Sequence, residues 1–245
     1  MSRKLTFLIL SALASSAFAD EDDLASKEEL YQGKEFKAAF HNPKDHPDRP
    51  NVLLIGDSIS IGYTVDVRKA LHEKADVFRI PSNGKNAAFG LSNLNKWLKK
   101  KPAQWDLIHF NWGLWDLCYR HPESKVQGHR DKVNGTVTAT PEQYRADLEK
   151  IVIRLKETNT KLIWCTTTPV PEHEAGRKLG DDLIYNKIAE EVMTKHGIKV
   201  NDLHAHALLK QKEIQVKKGD VHFNKKGSAY LAKKVAQEIS ATLLE

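Results

Sequence analysis

The sequence predicts an α/β fold: a central parallel sheet of about five strands with helices on both faces. Two observations carry this. Several runs of about four apolar residues show no in/out alternation, as strands buried on both faces do. Segments with apolar residues at three- and four-residue spacing stand between those runs. The chain of 245 residues is long enough to bury a sizeable core.

Taken in order, Val52–Ile55 is the first strand, stopped by Gly56. A helix follows over Val65–Lys74, then a second strand over Val77–Ile80, ended by Pro81. Leu91, Leu94 and Leu98 share one helical face, and Leu107–Phe110 is the third strand. Thr140-Pro141-Glu142-Gln143 marks a helix start: a Thr cap, Pro at the first position and Gln reaching back. Tyr144, Leu148, Ile151, Val152 and Leu155 continue that helix, and Leu162–Cys165 is the fourth strand. A helix over Asp182–Met193, a fifth strand over Ile198–Leu203 and a helix over Ser228–Leu244 complete the pattern. The polar stretch from Tyr119 to Ala139 fits no element. Loops this long in compact domains often serve as lids or binding loops.

Residues 1–19 read as a secretory signal. Arg3 and Lys4 precede the apolar stretch Leu5–Ala14, and Ala17-Phe18-Ala19 supplies the small residues a signal peptidase reads. Cleavage after Ala19 would make the mature protein secreted or periplasmic. Residues 20–50 form a polar N-terminal arm, and 51–245 form one domain. No apolar run reaches the roughly 18 residues of a membrane span. The net charge of +6 is a mild bias without an Arg/aromatic cluster, so nucleic acid is not an expected partner. Two cysteines are too few for a disulfide scaffold or a four-thiolate zinc site. Whether Cys118 and Cys165 pair stays open.

In an open parallel sheet, ligands sit beyond the carboxyl ends of the strands. There the chain places Gly56-Asp57-Ser58, Asn83-Gly84, Asn111 to Asp116, Thr166 to Thr168 and, near the C-terminus, Asp220-Val221-His222. A serine, an Asn/Gly set and a late histidine at one rim suit a serine esterase. Ser58 would be the nucleophile and His222 its base. The N–H groups of Ser58 and Gly84, with an Asn amide, would hold the oxyanion. Asp57, Asn83, Trp115 and Thr167 are candidate substrate contacts.

From Asn51 to the C-terminus the chain resembles the SGNH hydrolases, also called GDSL esterases. The likeness rests on Val52-Leu-Leu-Ile-Gly-Asp-Ser-Ile-Ser60, on Asn83-Gly84 and on Asp220-Val-His-Phe-Asn-Lys-Lys-Gly227. It implies a flavodoxin-like three-layer α/β/α sandwich and ester hydrolysis by Ser58 and His222, without metal or other cofactor. For exported members it implies removal of acetyl groups from polysaccharides.

Two positions depart from the family. Its third block is Gly-x-Asn-Asp, whose Asn supplies an oxyanion donor, and here the frame reads Gly113-Leu114-Trp115-Asp116. Either Asn111 takes over that role, or Trp115 lines the pocket and Ser58 and Gly84 act unaided. The family's Asp stands three residues before the His, whereas Asp220 stands two before His222. Asp220 or a main-chain carbonyl would orient the ring.

The rivals are few. Asp202, His204 and His206 could share a face of an extended segment as metal ligands, and Gly219-Asp220-Val221-His222 resembles a metallophosphoesterase motif, but there that motif follows the first strand and its companion Gly-Asn-His-Glu (or Asp) segment is absent here. The same serine machinery could cleave a lipid ester, a thioester or a sugar sulfate. A non-catalytic carbohydrate-binding protein on a decayed esterase fold is the third class. The expected partner is an acylated carbohydrate or another small ester; the oligomeric state is open.

Overall fold

The computed structural model describes residues 36–100, 102 and 104–245. The signal expected over 1–19 and the first part of the arm lie outside the described residues. The described elements are α1 (Lys37–Phe40), β1 (Asn51–Ile55), α2 (Ser58–Ala70), β2 (Asp76–Arg79), α3 (Ala87–Leu98), β3 (Leu107–Phe110), β4 (Tyr119–Arg120) and β5 (Thr136–Val137). They continue with α4 (Pro141–Lys156), β6 (Lys161–Cys165), α5 (Asp181–His196), β7 (Lys199–Asn201), α6 (Leu203–Leu208), α7 (Gln211–Ile214) and α8 (Lys225–Leu244).

Five strands form one sheet in the order β2-β1-β3-β6-β7, and every pairing is parallel. Leu53 of β1 lies between Phe78 and Ile108, and Ile108 pairs onward with Leu162. The strands are mostly apolar because both faces are covered, with Asp76, Arg79 and His109 as buried exceptions. Helices α2 and α6 each pack on α8, and α3, α4 and α5 form a second packed set. Val52, Leu54, Ile55, Leu107, Ile108, Phe110, Ile163 and Trp164 are fully buried between the layers. This is the doubly wound order in which the chain reverses direction between the first and third strands. The crevice at that reversal lies beyond Ile55 and Phe110.

Caps set the helix starts. Thr140 and Gln143 form the expected reciprocal capping box on α4. Asp57 caps α2, Asn86 caps α3 and Asn224 caps α8, each through its side-chain oxygen. Because Asp57 is a cap, α2 begins at Ser58, earlier than the Val65 start that apolar spacing indicates.

The arm from residue 36 onward packs on the sheet. Arg68 of α2 donates to the carbonyls of Ala38, Ala39 and His41, and Asp76 accepts from the His46 main chain at 2.7 Å. The stretch 119–139 forms the short β4–β5 hairpin, with Tyr119 opposite Val137. It is tied to residues 174–177: Tyr119 N–H donates to Gly176 O, and Lys132 N–H to Ala175 O. Cys118 and Cys165 are both buried and unpaired thiols.

Candidate active site

Ser58 follows β1 after the two-residue turn of Gly56 and Asp57 and is the first residue of α2. The turn before it is held by Asp57, whose Oδ1 accepts the Ile59 N–H at 3.0 Å. Burial pushes the Asp57 carboxyl up; the Ile59 N–H and the nearby His222, Arg177 and Arg79 oppose that shift. As the first helical residue, Ser58 has no intrahelical acceptor for its own N–H. That N–H stands at the positive end of the helix dipole.

The late histidine meets this serine. Ser58 Oγ lies 2.9 Å from His222 Nε2, although 164 positions separate them. His222 Nδ1 lies 2.7 Å from Asp220 Oδ1, and the same oxygen accepts the His222 main-chain N–H at 2.9 Å. That double acceptance explains how a spacing of two suffices. An Asp that bonds the N–H two residues on makes a tight side-chain turn. The turn brings the carboxylate under the ring. Burial pushes the Asp220 carboxyl up, but the His222 ring, its main-chain N–H and the charge of Arg130 outweigh this and hold it at about 2. An ionised Asp220 fixes the proton on Nδ1 and leaves Nε2 to accept from Ser58.

The loop carrying this pair is braced from both ends. Val216 N–H donates to His222 O at 3.0 Å, and Gln215 Nε2 donates to Asp220 O at 3.0 Å. Asn224 caps α8 and donates back to Gln215 O.

The expected oxyanion donors are arranged differently. Gly84 N–H donates to Gly56 O at 2.9 Å, so it is turned toward the chain. Trp112 Nε1 donates to Gly84 O at 3.1 Å, which pins the residue from its other side. A Cβ at position 84 would lie 2.8 Å from Gly56 O, so glycine is required by close packing on the elbow. Asn111 donates through Nδ2 to Cys165 O at 2.7 Å and ties β3 to β6. Neither group meets Ser58 in the way the sequence suggested.

Among the predicted substrate contacts, Asn83 and Trp115 each keep a buried donor without a partner among the described residues, Asn83 Nδ2 and Trp115 Nε1. Asn83 is 4% exposed, and its Oδ1 accepts the Lys85 N–H at 2.8 Å, which fixes which end of the amide is left over. Trp115 is half-buried, with the Arg120 guanidinium 4.8 Å above its ring. Sequence reasoning placed both only as substrate contacts.

The remaining candidates have structural partners. Thr167 is clamped by Asn186, which accepts its N–H at 2.8 Å and donates to its carbonyl at 2.9 Å. Asp116 accepts the Ala87 N–H at 2.9 Å and so ties the start of α3 to the end of β3. Burial pushes its carboxyl up to about 8. His204 bonds Asp182 at 2.6 Å, His206 stacks on Tyr230, and Asp202 caps α6. Among the described residues no group of three or more His, Cys, Asp or Glu is placed to hold a metal ion.

Sequence reasoning did not single out the buried ion cluster beside the site. Glu174 Oε1 accepts from Arg130 and Arg177, each at 2.9 Å, and Arg177 Nε donates to Leu114 O. The cluster locks the 119–139 hairpin to the segment bearing Glu174.

A cleft of about 790 Å³ nearby is not lined by Ser58, Asp220 or His222. Its walls include Val170, Leu179, Leu183, Leu208, Val216 and Gly219, so it ends one residue from Asp220.

No family model matches the chain, and no curated protein does. Solved structures do. An acetyl xylan esterase is 18% identical with a TM-score of 0.61, over 77% of this chain and 99% of that one. A lipase/acylhydrolase from Enterococcus faecalis is 22% identical with a TM-score of 0.59, over 78% and 96%. A GDSL-like lipase from Bacteroides thetaiotaomicron is 16% identical with a TM-score of 0.56, over 83% and 93%. The chain has the three-layer α/β/α fold of the SGNH, or GDSL-type, esterases and acylhydrolases.

Proposed function

We propose that this protein is an exported serine ester hydrolase that removes O-acetyl groups from a carbohydrate. The observation that carries the hydrolase reading is the continuous relay Ser58–His222–Asp220, with contacts of 2.9 and 2.7 Å. Ser58 Oγ attacks the ester carbonyl carbon while its proton passes to His222 Nε2. The C–O bond to the alcohol then breaks, and His222 returns the proton to the leaving oxygen. Water attacks the acyl-Ser58 ester by the same route in reverse. Asp220 remains ionised and steadies the imidazolium. The Ser58 N–H at the start of α2 meets the developing oxyanion.

The O-acetyl carbohydrate substrate is supported by the fold shared with an acetyl xylan esterase and by Trp115, an aromatic ring next to the scaffold residue Asp116. Export is supported by the signal-like pattern of Arg3-Lys4, the apolar Leu5–Ala14 and Ala17-Phe18-Ala19. Among the described residues no helix is long and apolar enough to cross a membrane. A second reading, an ester with a longer acyl chain, is favoured by the apolar cleft that ends at Gly219.

Release of acetate from acetylated xylan, set beside hydrolysis of p-nitrophenyl esters from acetyl to decanoyl, tests both. The proposal expects acetate release and a fall in kcat/KM beyond the shortest chains. A maximum at medium or long chains with no acetate release would replace the carbohydrate reading by the second. Secreted protein beginning at Asp20 would agree with export.

A further inference from the structure

Arg79 is 2% exposed, at the end of a strand whose other residues are Asp76, Val77 and Phe78. Its Nη2 donates to Gly56 O and to Asp57 O, both at 3.1 Å. Nε and Nη1 are buried and have no partner among the described residues. No carboxylate lies within ion-pair distance among the described residues, and the Phe40 ring covers the guanidinium at 5.4 Å. Burying a cation without a paired anion is expensive, and an apolar side chain of this length would fill the space at lower cost. A stability role alone therefore accounts poorly for an arginine here.

The two carbonyls it grips are those just before the nucleophile. In a trans peptide the C=O and the following N–H point in opposite directions. The carbonyl of Asp57 and the N–H of Ser58 belong to one such unit. Three donors hold that carbonyl: Arg79 Nη2, Ser60 Oγ at 2.7 Å and the Ile61 N–H at 3.2 Å. The Ser58 N–H must then face the other way, out of the start of α2. A cation behind the carbonyl also polarises the peptide and strengthens its N–H as a donor.

The arm holds Arg79 in place. Asn42 Oδ1 accepts the Arg79 N–H at 2.8 Å, and Asn42 Nδ2 donates to Arg79 O at 3.0 Å. Burial pulls the guanidinium down to about 9; Tyr63 and Asp57 counter the shift and Arg68 adds to it. The group remains charged at neutral pH.

We propose that Arg79 is a positioning residue for ester hydrolysis: it locks and polarises the Asp57–Ser58 peptide so that the Ser58 N–H meets the tetrahedral oxyanion. This rests on Ser58 being the nucleophile. The stabilisation belongs to the transition state, so it appears in kcat.

The test is steady-state hydrolysis of p-nitrophenyl acetate by the full chain. The variants are Arg79→Met, Arg79→Lys and Ser58→Ala, with inhibition by phenylboronic acid as a probe of tetrahedral binding. Arg79→Met should lower kcat about 100-fold, the typical worth of one oxyanion donor, with KM within threefold. Boronic acid affinity should fall with kcat. Arg79→Lys, which keeps the charge and reaches one carbonyl, should recover part of the loss. A folded Arg79→Met with kcat within threefold of the parent overturns the proposal, as does a loss confined to KM with boronic acid affinity unchanged. If Arg79→Met does not fold, Arg79→Lys decides: parental kcat overturns, and a kcat loss of about tenfold at unchanged KM supports. Turnover surviving in Ser58→Ala would instead sink the hydrolase reading, whatever Arg79 does.

Discussion

The two halves of the candidate site are built on opposite principles. On the proton-relay side, Ser58 Oγ, both ring nitrogens of His222 and Asp220 Oδ1 have partners within 3.0 Å. On the oxyanion side, two of the three groups the sequence nominated donate to the chain itself, Gly84 to Gly56 and Asn111 to Cys165. The third, the Ser58 N–H, has no intrahelical acceptor, and the rim side chains Asn83, Trp115 and Thr168 keep Nδ2, Nε1 and Oγ1 without a partner among the described residues. A relay must be assembled before substrate arrives, because the proton moves along existing hydrogen bonds. An oxyanion hole must keep donors open, because its acceptor exists only in the transition state. Unsatisfied buried donors are costly in a resting protein, so donors left open at this rim are candidates to meet the developing charge.

The largest effects should come from breaking the relay. Ser58→Ala is expected to lower kcat by at least about 10⁴-fold with little change in thermal midpoint, read by ester hydrolysis and calorimetry. Asp220→Asn removes the ionised acceptor of the ring proton while keeping size and shape. Its kcat should fall about 10³-fold, and a loss below tenfold would assign the ring to a main-chain carbonyl. The open donors come next. Trp115→Phe keeps the ring and deletes the N–H, and Asn83→Ala deletes the amide. Whichever donor serves the oxyanion should cost about 100-fold in kcat at nearly constant KM, and two parental values would leave Ser58 N–H alone in the hole.

The smallest effect concerns stability. Asp116 has a folded pKa raised from 3.8 to about 8 by burial. Between those values the folded state holds a proton that the unfolded chain has lost, so stability falls as pH rises. His109 is pulled down from 6.5 to about 4 by burial and contributes the opposite slope over that lower window. The opposing His109 slope is therefore gone between pH 6.5 and 8, where Asp116, and in the same direction the buried Asp57, carry the decline. Denaturant midpoints should decline across that range, and Asp116→Asn should flatten the decline.

Most of the sheet was legible because the strands are buried on both faces. Val52–Ile55 is a continuous apolar run and Leu107–Phe110 is broken only by His109, and such runs need no partner to be read. The relay was legible as residue types at one rim. The start of α2 was not, because Ser58, Ser60 and Gly62 carry no apolar period and the signal is the Asp57 cap. The direction of the Gly84 N–H depends on a contact 28 positions away, and the Arg130–Glu174 pair spans 44. Such contacts leave no local pattern. Arg79 did leave one: a lone arginine between Phe78 and Ile80, in a strand with no exposed position. A charge inside a doubly buried strand has to serve something.

Active-site labelling of the intact protein with a fluorophosphonate, followed by peptide mass spectrometry, bears most directly on the nucleophile. The account expects one covalent adduct on the peptide carrying Ser58, formed in step with loss of esterase activity and much slower in a His222→Ala variant. An active protein that is inhibited without any mass added at Ser58, or labelled at another residue, would contradict it.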